Sequence, residues 1–313
     1  MGAEIRVDRD ISSISAHAVT PAAAEPMILT VIGEGLGFVF RRLHALAGAV
    51  ALGGAALIGL AGTASAQPQC PDVHWIGAAG SGERGAEASM NDGMGRVISR
   101  SRADLQQLVQ SDGRTMTAEA VIYPATEVPE DGGVLDWAGF ISSVDAGTAA
   151  LANQYATFVA QCPTSKVVLA GYSQGAMVVH RNLHALGASP NLAGALLIAD
   201  GDRLPTDPTL NLGSVTAVPG AGKGVAQDWP ILAHAPAPLP AHIGARTISV
   251  CELGDAVCDY DPDAEEVTAT GVAVHTSYAR ASSGGYAWTS PLYQLLGPVP
   301  AAEAANPITV AAG

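Results

Sequence analysis

Past residue 67 the chain alternates short apolar runs with stretches whose apolar residues recur at helical spacing. The runs Val73 to Ala78, Ala118 to Tyr123, Lys166 to Gly171, Gly194 to Ala199 and Arg246 to Cys251 predict strands. Helical period over Gly95 to Gln110, Val144 to Gln161 and Gln174 to Leu186 predicts helices between them, with a later one beginning near Glu265 or Val272. Strands separated by helices need crossover connections, and crossovers make a parallel sheet covered on both faces. The expected fold class is therefore α/β: a three-layer α/β/α sandwich around a mainly parallel sheet, in one domain over residues 67–296. Two stretches break the alternation. Pro205 to Pro240 is rich in Pro, Gly and Ala, with its bulk at Trp229, Ile231 and Leu232, and reads as a long ordered loop or a flap. Gly297 to Gly313 is Ala/Pro-rich without a period and reads as a flexible tail.

Residues 1–66 do not belong to that pattern. Arg41-Arg42 precedes an almost unbroken run of Ala, Leu, Gly, Val and Ile from Leu43 to Ala61, and Ala64-Ser65-Ala66 has the small residues of a cleavage site. These are the parts of a secretion signal peptide, with Gln67 as the first residue after cleavage. A run of this length also fits a membrane anchor, and the A-x-A site favours the signal peptide. Glu4, Asp8, Asp10, Glu25 and Glu34 are foreign to the basic start of a signal and point to a translation start near Met27 or Val39.

Composition narrows the partners. With 48% hydrophobic and 14% charged residues, the chain is a folded protein rather than a disordered one. Its net charge of −14 disfavours nucleic acid and electrostatic docking on anionic membranes. No stable membrane insertion is expected after signal cleavage. Cys70, Cys162, Cys251 and Cys258 all lie beyond the cleavage site, and an even count in an exported chain argues for two disulfides. Three pairings are possible. The short spacing of Cys251 and Cys258 favours a local staple, which leaves Cys70 with Cys162.

The candidate chemistry centres on Gly171-Tyr172-Ser173-Gln174-Gly175, which joins the apolar run Val167 to Ala170 to the helical stretch Ala176 to Leu186. That is the strand, sharp turn and helix of a nucleophile elbow. A serine hydroxyl attacks only when a base takes its proton and an acid orients the base. With an elbow, the partners follow in the order serine, acid, histidine. Asp255 and His275 satisfy the order, and Asp255 follows a predicted strand inside the Cys251–Cys258 loop. His234 and His242 compete as the base, with Asp200, Asp202, Asp207 or Asp228 as the acid. Asp200 and Asp202 read more simply as capping residues. Oxyanion donors are expected from the amides of Gln174, just past the nucleophile, and Ser81, in the Gly80-Ser81-Gly82-Glu83 turn after the first strand. His180 and His184 have metal-ligand spacing, but Arg181 stands where a zinc protease motif needs Glu, so ordinary helix-face residues are expected. Gly220 to Gly224 lacks the spacing of a phosphate loop and reads as a flexible loop. No metal is expected.

Taken together these residues resemble the cutinase family of secreted serine esterases. The likeness is carried by Gly171 to Gly175 with Ala176, by Cys251-Glu252-Leu253-Gly254-Asp255-Ala256-Val257-Cys258, which is similar to that family's C-x-x-G-D-x-V-C loop, and by the downstream His275. Gly80 to Glu83 is similar to its oxyanion loop, and Cys70 with Cys162-Pro163 matches its other disulfide. The resemblance implies a small α/β-hydrolase fold and no cofactor. It also implies Ser173 as nucleophile, His275 as base, Asp255 as orienting acid, and oxyanion amides from Ser81 and Gln174. The function it implies is a secreted carboxylic ester hydrolase acting on lipid, polyester or acylated carbohydrate esters. Acyl transfer on the same triad, or a non-catalytic exported surface protein, are the alternatives. Ala79, where many members have Arg before the Gly, the Thr276-Ser277 pair and then Tyr278 after His275, and the longer Pro205–Pro240 stretch bear on substrate choice.

Overall fold

The computed structural model describes residues 69–85, 88–129, 134–229, 231–232, 238–264, 267–280 and 285–299. The expected signal segment and the tail beyond residue 299 lie outside the described residues. The elements are strand β1 (Val73–Ala78), helix α1 (Arg96–Ser111), β2 (Met116–Ala120), α2 (Val134–Gln161), β3 (Lys166–Tyr172), α3 (Gln174–Leu186), β4 (Leu192–Ile198), β5 (Leu210–Leu212), α4 (Ala241–Gly244), β6 (Thr247–Val250), α5 (Ala269–His275) and α6 (Thr289–Leu295). The strands form one sheet in the order β2-β1-β3-β4-β6-β5, and every ladder is parallel.

Parallel pairing follows from burial on both faces. Alternate residues of β3 serve opposite layers: Val168 and Ala170 pack with Val97, Ile98 and Leu105 of α1, whereas Val167 and Leu169 pack with Val144 and Leu151 of α2 and Leu183 of α3. From β1 the chain crosses to β2 on one side and then to β3 on the other, so the strand order reverses at β1 and β3. The crevice beyond the carboxyl ends of such strands is where open α/β sheets bind their ligands.

Several elements differ from the sequence-based expectation. The second strand lies at Met116–Ala120, not Ala118 to Tyr123, because its ladder with β1 ends at Ala120; beyond it Ile122 is 67% exposed and Tyr123 turns inward to donate its hydroxyl to the Ala79 carbonyl. Helix α2 begins at Val134, ten residues before the expected start, with Leu135 86% exposed, so its apolar residues there do not follow one stripe. The Pro205–Pro240 stretch holds a short edge strand, β5, paired with β6. Helix α6 was not expected, and α5 starts at Ala269, where Thr268 caps it by accepting the Gly271 amide at 3.0 Å. Both disulfides form as expected, Cys70 with Cys162 and Cys251 with Cys258.

Candidate active site

The turn from β3 into α3 leaves Ser173 at φ 54° and ψ −121°, a conformation L residues rarely adopt. The surroundings hold it there. The Ser173 amide donates to Ile198 O at 2.9 Å, and its carbonyl accepts the amides of Ala176 and Met177. Glycine is needed on both flanks because a Cβ on Gly171 would sit 2.1 Å from Gly175 O, and one on Gly175 would sit 2.3 Å from Ala78 O. Strand, helix and the neighbouring β1 thus meet backbone to backbone around the serine.

The structure brings the three expected side chains into one chain of contacts. His275 Nε2 lies 3.0 Å from Ser173 Oγ, and its Nδ1 lies 3.0 and 3.2 Å from the two Asp255 oxygens. With Nδ1 protonated toward the carboxylate, Nε2 is free to accept the serine proton. His275 ends α5 and stacks on Tyr172 with ring centroids 5.2 Å apart, and the Tyr172 hydroxyl donates to the His275 carbonyl at 2.7 Å. Asp255 is fully buried in the Cys251–Cys258 loop, where its Oδ1 accepts the amides of Val257 and Cys258 at 2.7 and 3.1 Å. Burial alone would raise its carboxyl; the hydrogen bond and charge of His275, with the Val257 amide and the Tyr278 hydroxyl, outweigh it and hold Asp255 below the ordinary carboxylate range.

The loop after β1 faces this chain. Gly82, at φ 74°, donates its amide to Ala125 O at 2.8 Å, and the Glu83 carboxylate accepts the amides of Gly80 at 2.8 Å and Arg96 at 3.0 Å. Among the described residues, nothing accepts from the amides of Ser81 or Gln174. Ser81 lines a cleft of about 610 Å³ together with Ser173 and His275. The Gln174 side chain points elsewhere, bonded to Ser143 Oγ and Thr126 O, which ties the elbow to α2 and to the loop after β2.

A model of the cutinase family matches residues 69–289, a span holding the elbow, the Cys251–Cys258 loop and His275. The chain belongs to the cutinase family. It is 36% identical over 138 residues to acetylxylan esterase 2 of Talaromyces purpureogenus, covering 44% of this chain and 52% of that one. It is 29% identical over 244 residues to cutinase 11 of Verticillium dahliae, covering 74% of this chain and 71% of that one. The match thus spans about half the length of acetylxylan esterase 2 and 71% of cutinase 11. A solved cutinase-like protein from Cryptococcus sp. superposes with a TM-score of 0.50 at 20% identity, covering 72% of this chain and 93% of that one. That likeness is one of fold, the cutinase-like α/β hydrolase.

In this cutinase-family chain the competing acids are engaged elsewhere. Asp200 Oδ2 lies 2.6 Å from His180 Nδ1 while its Oδ1 caps the turn by accepting the Asp202 amide at 3.0 Å, and Asp202 pairs with Arg181 at 2.8 Å, so both also belong to a buried charge network. Asp207 accepts the Leu239 amide, Asp228 pairs with Lys223, and His242 is exposed on α4. His234 lies outside the described residues. His180 is buried and its helix neighbour His184 is exposed, so the two do not converge on one point; among the described residues no group of three His, Cys, Asp or Glu side chains could hold a metal. Gly222 of the Gly220–Gly224 stretch packs its carbonyl on the Arg203 guanidinium.

Glu83 and Tyr172 lie inside the Gly80–Glu83 and Gly171–Gly175 patterns and Tyr278 lies three residues past His275, but no spacing in the sequence marks their supporting roles. Each acts through backbone groups or a carboxylate that only the fold brings alongside.

Proposed function

We propose that this chain is an exported carboxylic ester hydrolase that works through an acyl-serine intermediate. The observation that carries the reading is the unbroken contact chain from Ser173 Oγ to His275 Nε2 and from His275 Nδ1 to the buried Asp255 carboxylate. His275 takes the hydroxyl proton as Ser173 Oγ bonds to the ester carbonyl carbon, and the carbonyl oxygen becomes an oxyanion. The unengaged amides of Ser81 and Gln174 receive that oxyanion, and the N-terminus of α3 adds its dipole. As the tetrahedral species collapses, the alkoxy bond breaks and His275 returns its proton to the leaving alcohol. Water then repeats the sequence on the acyl-serine, releasing the acid and restoring Ser173. Asp255 stays ionised throughout and keeps the imidazole in the right tautomer.

Export is supported by the signal-like residues 41–66 and by two disulfides, which persist in oxidising compartments. The names of the relatives, an acetylxylan esterase and a cutinase, support esters of carbohydrates or polyesters as substrates. The cleft carries Asn91, Arg96 and Glu127 beside Val97, Val128 and Ala279, which favours a short acyl group on a polar alcohol over a long lipid chain. The test is hydrolysis of p-nitrophenyl esters from acetate to palmitate by wild type and Ser173→Ala. Wild type is expected to prefer the shortest acyl groups, and the variant is expected to lose about five orders of magnitude or more in kcat. Equal rates in the two proteins would sink the proposal.

A further inference from the structure

Three residues past His275, on the 3-10 turn Thr276–Ala279, Tyr278 folds its ring back beneath the imidazole's own partner. Its hydroxyl donates to Asp255 Oδ2 at 2.8 Å and accepts the Glu252 amide at 2.8 Å, and the residue is only 5% exposed. The two oxygens of Asp255 are thus held by different groups. Oδ1 has the amides of Val257 and Cys258; among the described residues Oδ2 has, apart from the imidazole, only the phenol.

We propose that Tyr278 is a positioning residue for the triad: its O–H on Oδ2 stops the Asp255 carboxylate from turning about its Cβ–Cγ bond and so aims Oδ1 at His275 Nδ1. This inference rests on the triad reading above. A carboxylate held on one oxygen by two amides keeps torsional freedom unless its other oxygen is also anchored, and freedom there passes directly to the imidazole that must face Ser173. Burial, and then the neighbouring Asp255 charge, push the Tyr278 phenol far up, so it keeps its proton and acts as donor. That donor favours the charged form of Asp255. The other titratable or charged groups facing the pair are His275 from α5, Tyr172 from β3 with ring centroids 6.1 Å apart, Glu252 and Asp259 from the disulfide loop and its exit, and Arg203 from the turn after β4.

The experiment compares wild type, Tyr278→Phe and a protein with 3-fluorotyrosine at position 278, using p-nitrophenyl acetate turnover from pH 4 to 9 and the rate of Ser173 labelling by a fluorophosphonate. Tyr278→Phe is expected to lower kcat and the labelling rate about tenfold with KM within about twofold. The acid limb of its kcat/KM profile is expected to move to higher pH, because a carboxylate without the phenol's hydrogen bond attracts a protonated imidazole more strongly, and His275 must shed that proton to act as base. The fluorinated phenol, a stronger donor of the same shape, is expected to move that limb to lower pH. If the Phe variant does not fold, the fluorinated protein carries the test by itself. An unmoved acid limb in both proteins overturns the inference, even if kcat falls, since simple packing damage lowers turnover without shifting a titration. Wild-type protein that neither turns over the ester nor takes the label fails the triad reading instead.

Discussion

Ser173 presents its hydroxyl to the cleft at the cost of backbone strain, about 1–3 kcal/mol for a non-glycine residue at positive φ. The strain persists because Gly171 and Gly175 let strand, helix and β1 approach to backbone contact. Gly171→Ala would drive a Cβ to 2.1 Å from Gly175 O and 2.3 Å from its carbonyl carbon, where no flexible side chain can give way. Urea unfolding is expected to show a loss of about 3 kcal/mol, accompanied by slower fluorophosphonate labelling; a variant as stable and reactive as wild type would refute the close-approach argument. At this scale the elbow, Asp255 and His275 were legible because each sits in a short pattern with a chemical reason. Glu83 and Tyr278 were not, since a carboxylate between two amides, or a phenol on a carboxylate, is defined by what folding brings to it.

Among the elements, the two disulfides close loops of very different length, and the division of stability and function between them is a prediction. Cys70–Cys162 closes a separation of 92 residues and joins the entry to β1 with the end of α2, whereas Cys251–Cys258 closes a separation of 7. Loop-closure entropy assigns the first about 4.6 kcal/mol and the second about 2.5 kcal/mol. The short loop, however, carries Asp255 and two of the amides that grip it. Replacing Cys70 and Cys162 by Ser is therefore expected to lower Tm more, and replacing Cys251 and Cys258 to lower kcat more at a temperature where both variants are folded. Thermal melts and esterase rates on the two double variants check the crossing of the two orders. Strands buried on both faces, β1, β3 and β4, were readable as apolar runs. The edge strand β5 is too short for its period to show, and the start of α2, with Leu135 turned out to solvent, carries no single apolar stripe.

On the scale of the whole molecule, a buried charge network ties α3 to the excursion between β4 and β6. His180 lies against Asp200 and near Asp207, Arg181 pairs with Asp202, and Arg203 reaches Ser249 and Asn211. Burial disfavours the imidazolium, but the charges of Asp200, Asp202 and Asp207 and the hydrogen bond to Asp200 outweigh it and push His180 up to about 9. A group raised from its ordinary value of 6.5 contributes stability that is complete below about pH 6.5 and is lost as pH rises through about 9. The shift corresponds to roughly 3 kcal/mol. Urea midpoints for wild type are expected to fall between pH 6.5 and 9.5, and those of His180→Asn to change less over the same window; parallel curves for the two would remove His180 as the cause.

The sequence by itself determined the alternation of strands and helices, the elbow and the order of its partners, because local periodicity and covalent neighbourhood are properties of a linear chain. Tertiary structure decided which strands lie side by side, where the strand order reverses, and which acid meets which histidine. Asp200 and Asp255 both follow apolar strands in sequence, yet β4 carries one to His180 and β6 carries the other to His275. That choice is made by sheet order and crossover handedness, which depend on contacts between residues far apart in the chain.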